Sequence, residues 1–498
     1  KGGVMYQIMP DRFCRQGDIP QNLPSGRIIS ETWGDLPPQS DENGYCSNYY
    51  FGGNFKGITS KLPYLKSLGV TTVYINPIFE AHSYHRYNTA DYSKADPLLG
   101  TDDDFRNLCE QGEQAGINII LDGVFSHTGE DSVYFNKYAR YPDKGAYESK
   151  DSIYYSWYDF KKWPEIYRCW WNFKELPEVN ESEPSYLDYI TGKDGILQRW
   201  IKLGASGWRL DVADELPDNM IESIRNAVKD AGEENIVLGE VWEDASNKIS
   251  YGQRRHYLEG KQLDSVMNYP WRYAIIDYLR TGNAAFIAEA VMTIIENYPK
   301  ESLDTLMNHL GTHDTARLIT CLAGENPDGK SKSWRQFTRM APERRQRGLA
   351  LVRLACAIQF MLPGIPCIYF GDEAGFEGYE DPFNRQCYNW GGEDKALVEW
   401  YRALGRLRSC CPVFKAGQYR PIMARGAVYA FERLENGEFV SVAVNAGESA
   451  ESLEMNGEIC VSFGNVTLSG GILTLPPKSC AILGSGSFVS SFEKVNQN

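Results

Sequence analysis

A short β-branched run followed by a helical stretch recurs along most of this chain, and that rhythm restricts the fold more than any other feature. Val4–Met9, Val70–Ile75, Ile117–Val124, Gly207–Asp211, Ile236–Glu240, Ser265–Asn268, Leu306–His309 and Cys367–Phe370 read as eight strands, with helical stretches such as Ile58–Leu68, Asp102–Ala115 and Pro184–Leu203 between them. Alternation of this kind builds parallel sheets, because each helix carries the chain back to the start of the next strand. Eight units predict an α/β fold of the TIM (β/α)8 barrel type, closing near Arg408. The 498 residues leave room for further domains, since a barrel takes roughly 250 to 400 residues.

The rhythm breaks twice. Residues 126–183 are polar, aromatic and irregular, too long for a βα loop, and read as a subdomain inserted after strand 3. From Val413 the pattern changes to period two with Gly and Asn turns: Ala427–Arg433, Glu438–Asn445, Glu458–Val461 and Gly471–Leu475. That predicts a C-terminal antiparallel β-sandwich. The expected division is therefore a barrel over 1–125 and 184–410, the insert at 126–183, the β domain at 411–484 and a tail at 485–498.

Polar chemistry gathers at the predicted strand ends, in Asp122-Gly-Val-Phe-Ser-His127, Gly207-Trp-Arg-Leu-Asp211, Gly239-Glu240-Val-Trp242 and His313-Asp314. In a TIM barrel those ends share one face, where active sites form. A lone carboxylate is usually a surface group or a helix cap; four falling at strand ends is not what chance places there. Of six histidines in the chain, His85, His127 and His313 lie in these post-strand segments. Two carboxyls facing each other could cleave a glycosidic bond. The net charge of −15 and the lack of a basic cluster argue against nucleic acid and anionic membranes as partners. No apolar run approaches the roughly 18 residues of a membrane span. Ten aromatics crowd Tyr154–Phe173; most suit a small core for the insert, with Trp170 or Trp171 the exceptions that could face a ligand. Twelve scattered cysteines without CxxC spacing read most simply as reduced thiols in a cytoplasmic protein. The first residue is Lys1, which leaves a secreted form with a removed leader open.

Taken together and in order, these blocks resemble the shared regions of the α-amylase superfamily, glycoside hydrolase family 13. The likeness is closest to its neopullulanase, cyclomaltodextrinase and maltogenic amylase branch. Leu176-Pro-Glu-Val-Asn180, Asp211-Val-Ala-Asp-Glu215, Tyr6-Gln-Ile-Met-Pro-Asp-Arg-Phe13 and Ser83-Tyr-His-Arg-Tyr-Asn-Thr-Ala-Asp-Tyr92 carry that closer likeness. The resemblance implies a retaining hydrolase of α-1,4-glucosidic bonds in maltooligosaccharides and starch, and of pullulan or cyclodextrins. Asp211 would be the nucleophile, and Glu240 the acid and base, with a raised pKa. Asp314 would bind sugar hydroxyls and favour the distorted ring. His85, His127 and His313 would hydrogen-bond the sugar in the cleavage subsite, and Tyr87 would stack under it. Arg209 would keep Asp211 ionised, Asp122 would brace the site through Arg209, and Asp381 and Arg385 would contact the next sugar.

Three departures from the family pattern qualify the likeness. Ser126 replaces an Asn found near a structural calcium. Gln16-Gly-Asp18 with Gln21, Asn22 and Gly52-Gly-Asn54 holds one carboxylate where the branch has a calcium site, and calcium prefers several charged oxygens. The expectation is no required cofactor and weak calcium binding or none. Glu243 replaces a His on the leaving-group side, which leaves bond and acceptor preference open. The alternatives are an α-glucan transglycosylase or an α-1,6-active, pullulanase-like enzyme on the same scaffold. A non-catalytic binding protein is disfavoured by the intact acids, and a metal-dependent hydrolase by the lack of HxH or HExxH spacing. The branch dimerises through an N-terminal β domain that would end where this chain begins, so oligomeric state stays open.

Overall fold

A computed structural model of the chain describes residues 1–21, 23–35, 47–485 and 489; Asn22 and the rest of the expected tail lie outside the described residues. Eight parallel strands form one sheet: β1 (Val4–Ile8), β2 (Val70–Ile75), β3 (Asn118–Gly123), β4 (Gly207–Leu210), β5 (Ile236–Gly239), β6 (Ser265–Val266), β7 (Met307–His309) and β8 (Ile365–Tyr369). Their hydrogen-bonded order is β6-β5-β4-β3-β2-β1-β8-β7. A parallel bridge from Met267 to Met307 joins the two ends, and the backbone N–H of Asn268 donates to the Met307 carbonyl at 2.9 Å. The predicted (β/α)8 barrel is therefore present, closed at its β6–β7 seam by a single bridge.

Successive side chains of a strand face opposite ways, and this parity builds the interior in layers. Met5, Tyr74, Ile120, Leu238, Met267, Met307, Ile365 and Cys367 pack together as an apolar plug. Two residues further along their strands, Gln7, Asp122 and Glu240 take the same inward face. Gly207 opens β4 at φ +148°, where a Cβ would stand 2.3 Å from the Ile236 carbonyl oxygen; only glycine lets β4 approach β5 so closely.

Two expected helices are divided. Phe55–Ser60 and Leu62–Ser67 replace a single Ile58–Leu68 helix, because Pro63 has no N–H to donate and its ring crowds the preceding turn. Pro184–Thr191 and Ile196–Lys202 replace Pro184–Leu203, with Gly192 and Gly195 at the break, where glycine disfavours helix.

In the insert, Phe135 packs edge-on against Tyr158 and Tyr167 at 4.9 and 4.8 Å, forming the small aromatic core. The Leu176–Asn180 motif pins this unit to the segment after β3: Val179 N–H donates to the Ser126 carbonyl and Thr128 N–H to the Pro177 carbonyl, each at 3.1 Å. Downstream of the Lys395–Cys410 helix, Gln418–Arg425, Val428–Glu435, Glu438–Asn445, Ser479–Gly484 and Glu458–Phe463 make a five-stranded antiparallel sheet in that spatial order. A three-stranded sheet of Glu451–Glu454, Ile472–Leu475 and Thr467–Ser469 packs on it through Leu453, Leu473, Ala481 and Leu483. The sandwich is as predicted, with four strands more than the sequence pattern shows: Gln418–Arg425, Glu451–Glu454, Thr467–Ser469 and Ser479–Gly484. All eleven described cysteines are free. No described helix is long and apolar enough to cross a membrane.

The seam generates a stability prediction. Asn308 Nδ2 donates to Pro363 O at 2.6 Å, and its Oδ1 accepts from Asn268 Nδ2 at 2.9 Å. Asn308→Ala leaves both buried partners unsatisfied, at about 1–3 kcal/mol for each. A thermal melt should show a clear drop in melting temperature, and an unchanged melt would contradict this account of the seam.

Candidate active site

Strand register sets the centre of the site. Arg209 on β4 lies directly opposite Asp122 on β3 and Leu238 on β5, with no exposure to solvent. Its Nη1 donates to Asp122 Oδ1 and to Asp211 Oδ1, both at 2.7 Å. Its Nη2 lies 2.8 Å from Glu240 Oε2. One guanidinium thus serves three carboxyls, and Asp211 and Glu240 meet its two terminal nitrogens. Val212 follows Asp211 at φ 37° and ψ 59°, a left-handed conformation that a β-branched residue adopts only under constraint. The turn aims its N–H at Glu240 Oε2, 2.8 Å away. Trp242 Nε1 donates to Glu240 Oε1 at 3.0 Å, and its ring stacks on Tyr269 with centroids 4.0 Å apart.

Burial pushes the Asp211 carboxyl well above its usual range; Arg209 opposes the shift, and nearby Glu240 and Asp122 add to it. Three buried carboxyls around one cation cannot all ionise cheaply. The expected ionising effect of Arg209 on Asp211 is present but outweighed by burial.

A second strand of bonds runs from β1. Gln7 Nε2 donates to His313 Nδ1 at 2.9 Å. The ring must then carry its proton on Nε2, which lies 2.6 Å from the Tyr87 hydroxyl. Tyr87 passes its own proton to Asp122 Oδ2 at 2.6 Å, and Tyr74 donates to the same oxygen at 2.6 Å. Asn76 Nδ2 donates to the Tyr87 oxygen at 2.8 Å. One tautomer satisfies the whole chain. Burial holds His313 well below its ordinary value and His127 down at about 4, so both rings are neutral. Ser126, the departure from Asn, has its hydroxyl 3.0 Å from His127 Nδ1, while Nε2 donates to the Tyr87 carbonyl at 3.1 Å. His85 Nδ1 accepts from the Tyr87 N–H at 3.2 Å.

Asp314 keeps 30% of its side chain exposed, with Oδ2 3.2 Å from His313 Nε2 and Oδ1 3.5 Å from Arg385 Nη2. Arg385 also pairs with Asp381 at 3.0 Å and donates Nε to the His313 carbonyl at 2.9 Å. It braces Asp314, which is more than a loop ion pair. All eleven residues singled out in the sequence come together at the C-terminal end of the barrel. Gln7, Tyr74, Asn76, Trp242 and Tyr269 were missed. Inward parity two residues beyond Met5 and Leu238 pointed to Gln7 and, through Glu240, to the neighbourhood of Trp242.

In the stretch where the family branch has a calcium site, the Asn54 side chain is engaged by the protein itself. Asn54 Oδ1 caps a helix by accepting from Gly57 N–H at 2.8 Å, and its Nδ2 donates to the Gln16 carbonyl at 2.8 Å. Among the described residues no group of three or more His, Cys, Asp or Glu could hold a metal.

Fold and site together define a (β/α)8 barrel with two carboxyls held on one buried arginine at the strand ends. The chain belongs to the alpha-amylase family, whose catalytic domain it matches over residues 7–406. It is 38% identical over 483 residues to an amylopullulanase of Thermoanaerobacterium saccharolyticum, an alignment covering 88% of this chain and 36% of that protein. With a cyclomaltodextrinase of Thermoanaerobacter pseudethanolicus it shares 31% identity over 96% of this chain and 77% of the relative. The solved cyclic alpha-maltosyl-(1→6)-maltose hydrolase of Arthrobacter globiformis superposes with a TM-score of 0.79 at 26% identity, covering 97% of this chain and 99% of that one. The chain spans 36%, 25% and 32% of the three amylopullulanases it matches.

The raised Asp211 makes a signed prediction. In the unfolded chain this carboxyl ionises near its ordinary 3.8. The stability its protonated form contributes is complete below that value and lost as pH rises through the folded-state value. Asp211→Asn removes that loss. At about pH 8 the variant should melt above the wild type, and the gap should shrink toward about pH 4. A variant that melts lower at the higher pH would show that the Arg209 pair outweighs burial.

Proposed function

We propose that this chain is a retaining glycoside hydrolase acting on α-1,4-glucosidic bonds of maltooligosaccharides and starch, and on pullulan or cyclodextrins. The observation that carries the reading is the Arg209 guanidinium, which holds Asp211 and Glu240 on adjacent nitrogens. That arrangement favours the close spacing of a nucleophile and an acid, about 5–5.5 Å, over the wider gap that admits water in inverting enzymes. Asp211 attacks the anomeric carbon as Glu240 protonates the departing oxygen, and Glu240 then takes a proton from the water that releases the sugar. The double role of acid and then base falls to Glu240, which accepts from the Val212 N–H and the Trp242 indole N–H. His313, His127 and His85 recognise sugar hydroxyls as neutral rings, and Asp314, braced by Arg385, accepts hydroxyl protons. Tyr87 offers its ring face.

The relatives are named for hydrolysis of pullulan, cyclodextrins and an α-1,6-linked cyclic maltoside, so an α-1,6 activity on the same residues is the second reading. Transglycosylation would use the same carboxyls with a sugar as acceptor. The net negative chain has no affinity for nucleic acid in this reading, and no metal takes part.

Asp211→Asn and Glu240→Gln should each abolish nearly all hydrolysis of maltooligosaccharides while circular dichroism stays native; retention of more than about a few per cent of kcat sinks the assignment. Digestion of pullulan to panose would identify α-1,4 cleavage, and maltotriose α-1,6 cleavage. Chelator should leave activity within about twofold, whereas a large loss would restore a calcium requirement.

A further inference from the structure

Of the two oxygens of Glu240, only one has room for a proton. A carboxylate offers about four lone-pair positions, two on each oxygen. Oε2 accepts from the Val212 N–H at 2.8 Å and lies 2.8 Å from Arg209 Nη2. A proton placed there would face both a donor and a buried cation. Oε1 accepts one hydrogen bond, from Trp242 Nε1 at 3.0 Å, and keeps its other position open. The terminal torsion of a glutamate is broad. Contacts on Oε2 alone therefore do not set the direction of Oε1, and the indole N–H supplies what is missing.

The indole has to be held in turn. Trp242 lies on the loop after β5 with 39% of its surface exposed. Its ring lies flat on Tyr269, with centroids 4.0 Å apart and planes within 12°. Tyr269 is fully buried, and the His309 ring meets it at 75° and 4.4 Å. Stacked and edge-to-face contacts are the favoured geometries of aromatic pairs. Burial holds His309 down at about 3, so the ring behind Tyr269 is neutral. Closure of the barrel puts the rings in line. Tyr269 opens the helix Tyr269–Thr281, two residues past Met267, whose bridge to Met307 closes the β6–β7 seam. His309 is two residues past Met307 on β7 and takes the same inward face. The apolar plug, which includes Met267, Tyr269 and Met307, supports the stack from below.

Resting on the glucan reading above, we propose that Glu240 Oε1 is the atom that carries the transferred proton, and that Tyr269 and His309 are positioning residues that aim it through Trp242. In the bond-breaking step the Oε1 proton passes to the glycosidic oxygen. That oxygen leaves the anomeric carbon with the bonding pair, and an Asp211 oxygen forms the new bond to carbon. Glu240 is left as a carboxylate, with Oε1 still accepting from Trp242. In the water step Oε1 takes a proton from the attacking water, whose oxygen bonds to the anomeric carbon as Asp211 departs with its pair. A displacement of about 1 Å in such a group costs on the order of 10²-fold in rate.

The test measures kcat/KM on aryl α-maltosides from phenyl to 4-nitrophenyl. These leaving groups are alike in size but differ in how much the departing oxygen needs a proton. Trp242→Phe keeps a ring and drops the N–H, and Tyr269→Ala removes the support. Each should lower kcat/KM about thirtyfold for phenyl α-maltoside and about threefold or less for the 4-nitrophenyl compound, a share of the roughly 10²–10⁴-fold that a positioned acid supplies. His309→Ala should tilt the series the same way by a smaller amount. Tyr269→Phe, which keeps the ring, should restore the wild-type dependence on leaving group. Damage to folding or to sugar binding lowers every member alike. An equal loss across the series, or none, in Trp242→Phe overturns the Oε1 assignment, and the same result in Tyr269→Ala overturns the ring support. Glu240→Gln marks the limit without an acid and should lose least on the 4-nitrophenyl compound. An equal loss across the series in that variant overturns Glu240 as the acid and the glucan reading with it, whatever the ring variants show.

Discussion

The arrangement at the head of the barrel depends on a single buried cation. Arg209 reaches Asp122, Asp211 and Glu240 from one guanidinium, and each contact restricts a different strand. Taking these charges out of water is expensive, and only their mutual attraction and further donors offset it. The donors are present: two tyrosine hydroxyls on Asp122, a backbone N–H and an indole N–H on Glu240. Burial, with Glu240 and Asp122 adding to it, pushes the Asp211 carboxyl up against the pull of Arg209.

Around this cation the polar groups are fixed by complementary hydrogen bonds. The relay from Gln7 through His313 and Tyr87 to Asp122 orders four side chains from four strand ends with one proton arrangement. The histidines are neutral because burial removes the solvent that would stabilise a charged ring. Both nitrogens of each ring are engaged by protein partners, which fixes the ring orientation. On the opposite rim, rigidity comes from strained backbone and ion pairs: Val212 turns its N–H toward Glu240, and Lys248 ties two loops together.

Much of this was legible in the sequence, for physical reasons particular to each element. The barrel strands could be read because buried parallel strands are short, β-branched and separated by helices. Asp211 and Arg209 could be paired because two residues along a strand share a face. The helix breaks at Lys61 and Gly192 follow from Pro63, Gly192 and Gly195, whose punctuation a continuous apolar pattern obscured. Gln418–Arg425 escaped notice because it carries many exposed positions, whereas Ser479–Gly484 is buried throughout and lacks the period-two alternation of a half-exposed strand. Asn76 and Tyr269 carry no motif of their own, and their roles arise from contacts that only the fold creates.

The sequence by itself determined the fold class and the set of polar groups gathered at the strand ends, because strand periodicity and strand-end position are local properties that local residues specify. Tertiary structure decided that the Asp211 carboxyl is pushed up, since that depends on burial and on charges contributed by β3, β4 and β5 together. It also decided how Ser126 sets the His127 ring, that Glu243 pairs with Lys248, and that Trp242 and His309 both pack on Tyr269. Those outcomes rest on through-space contacts between distant segments, and no local pattern encodes them.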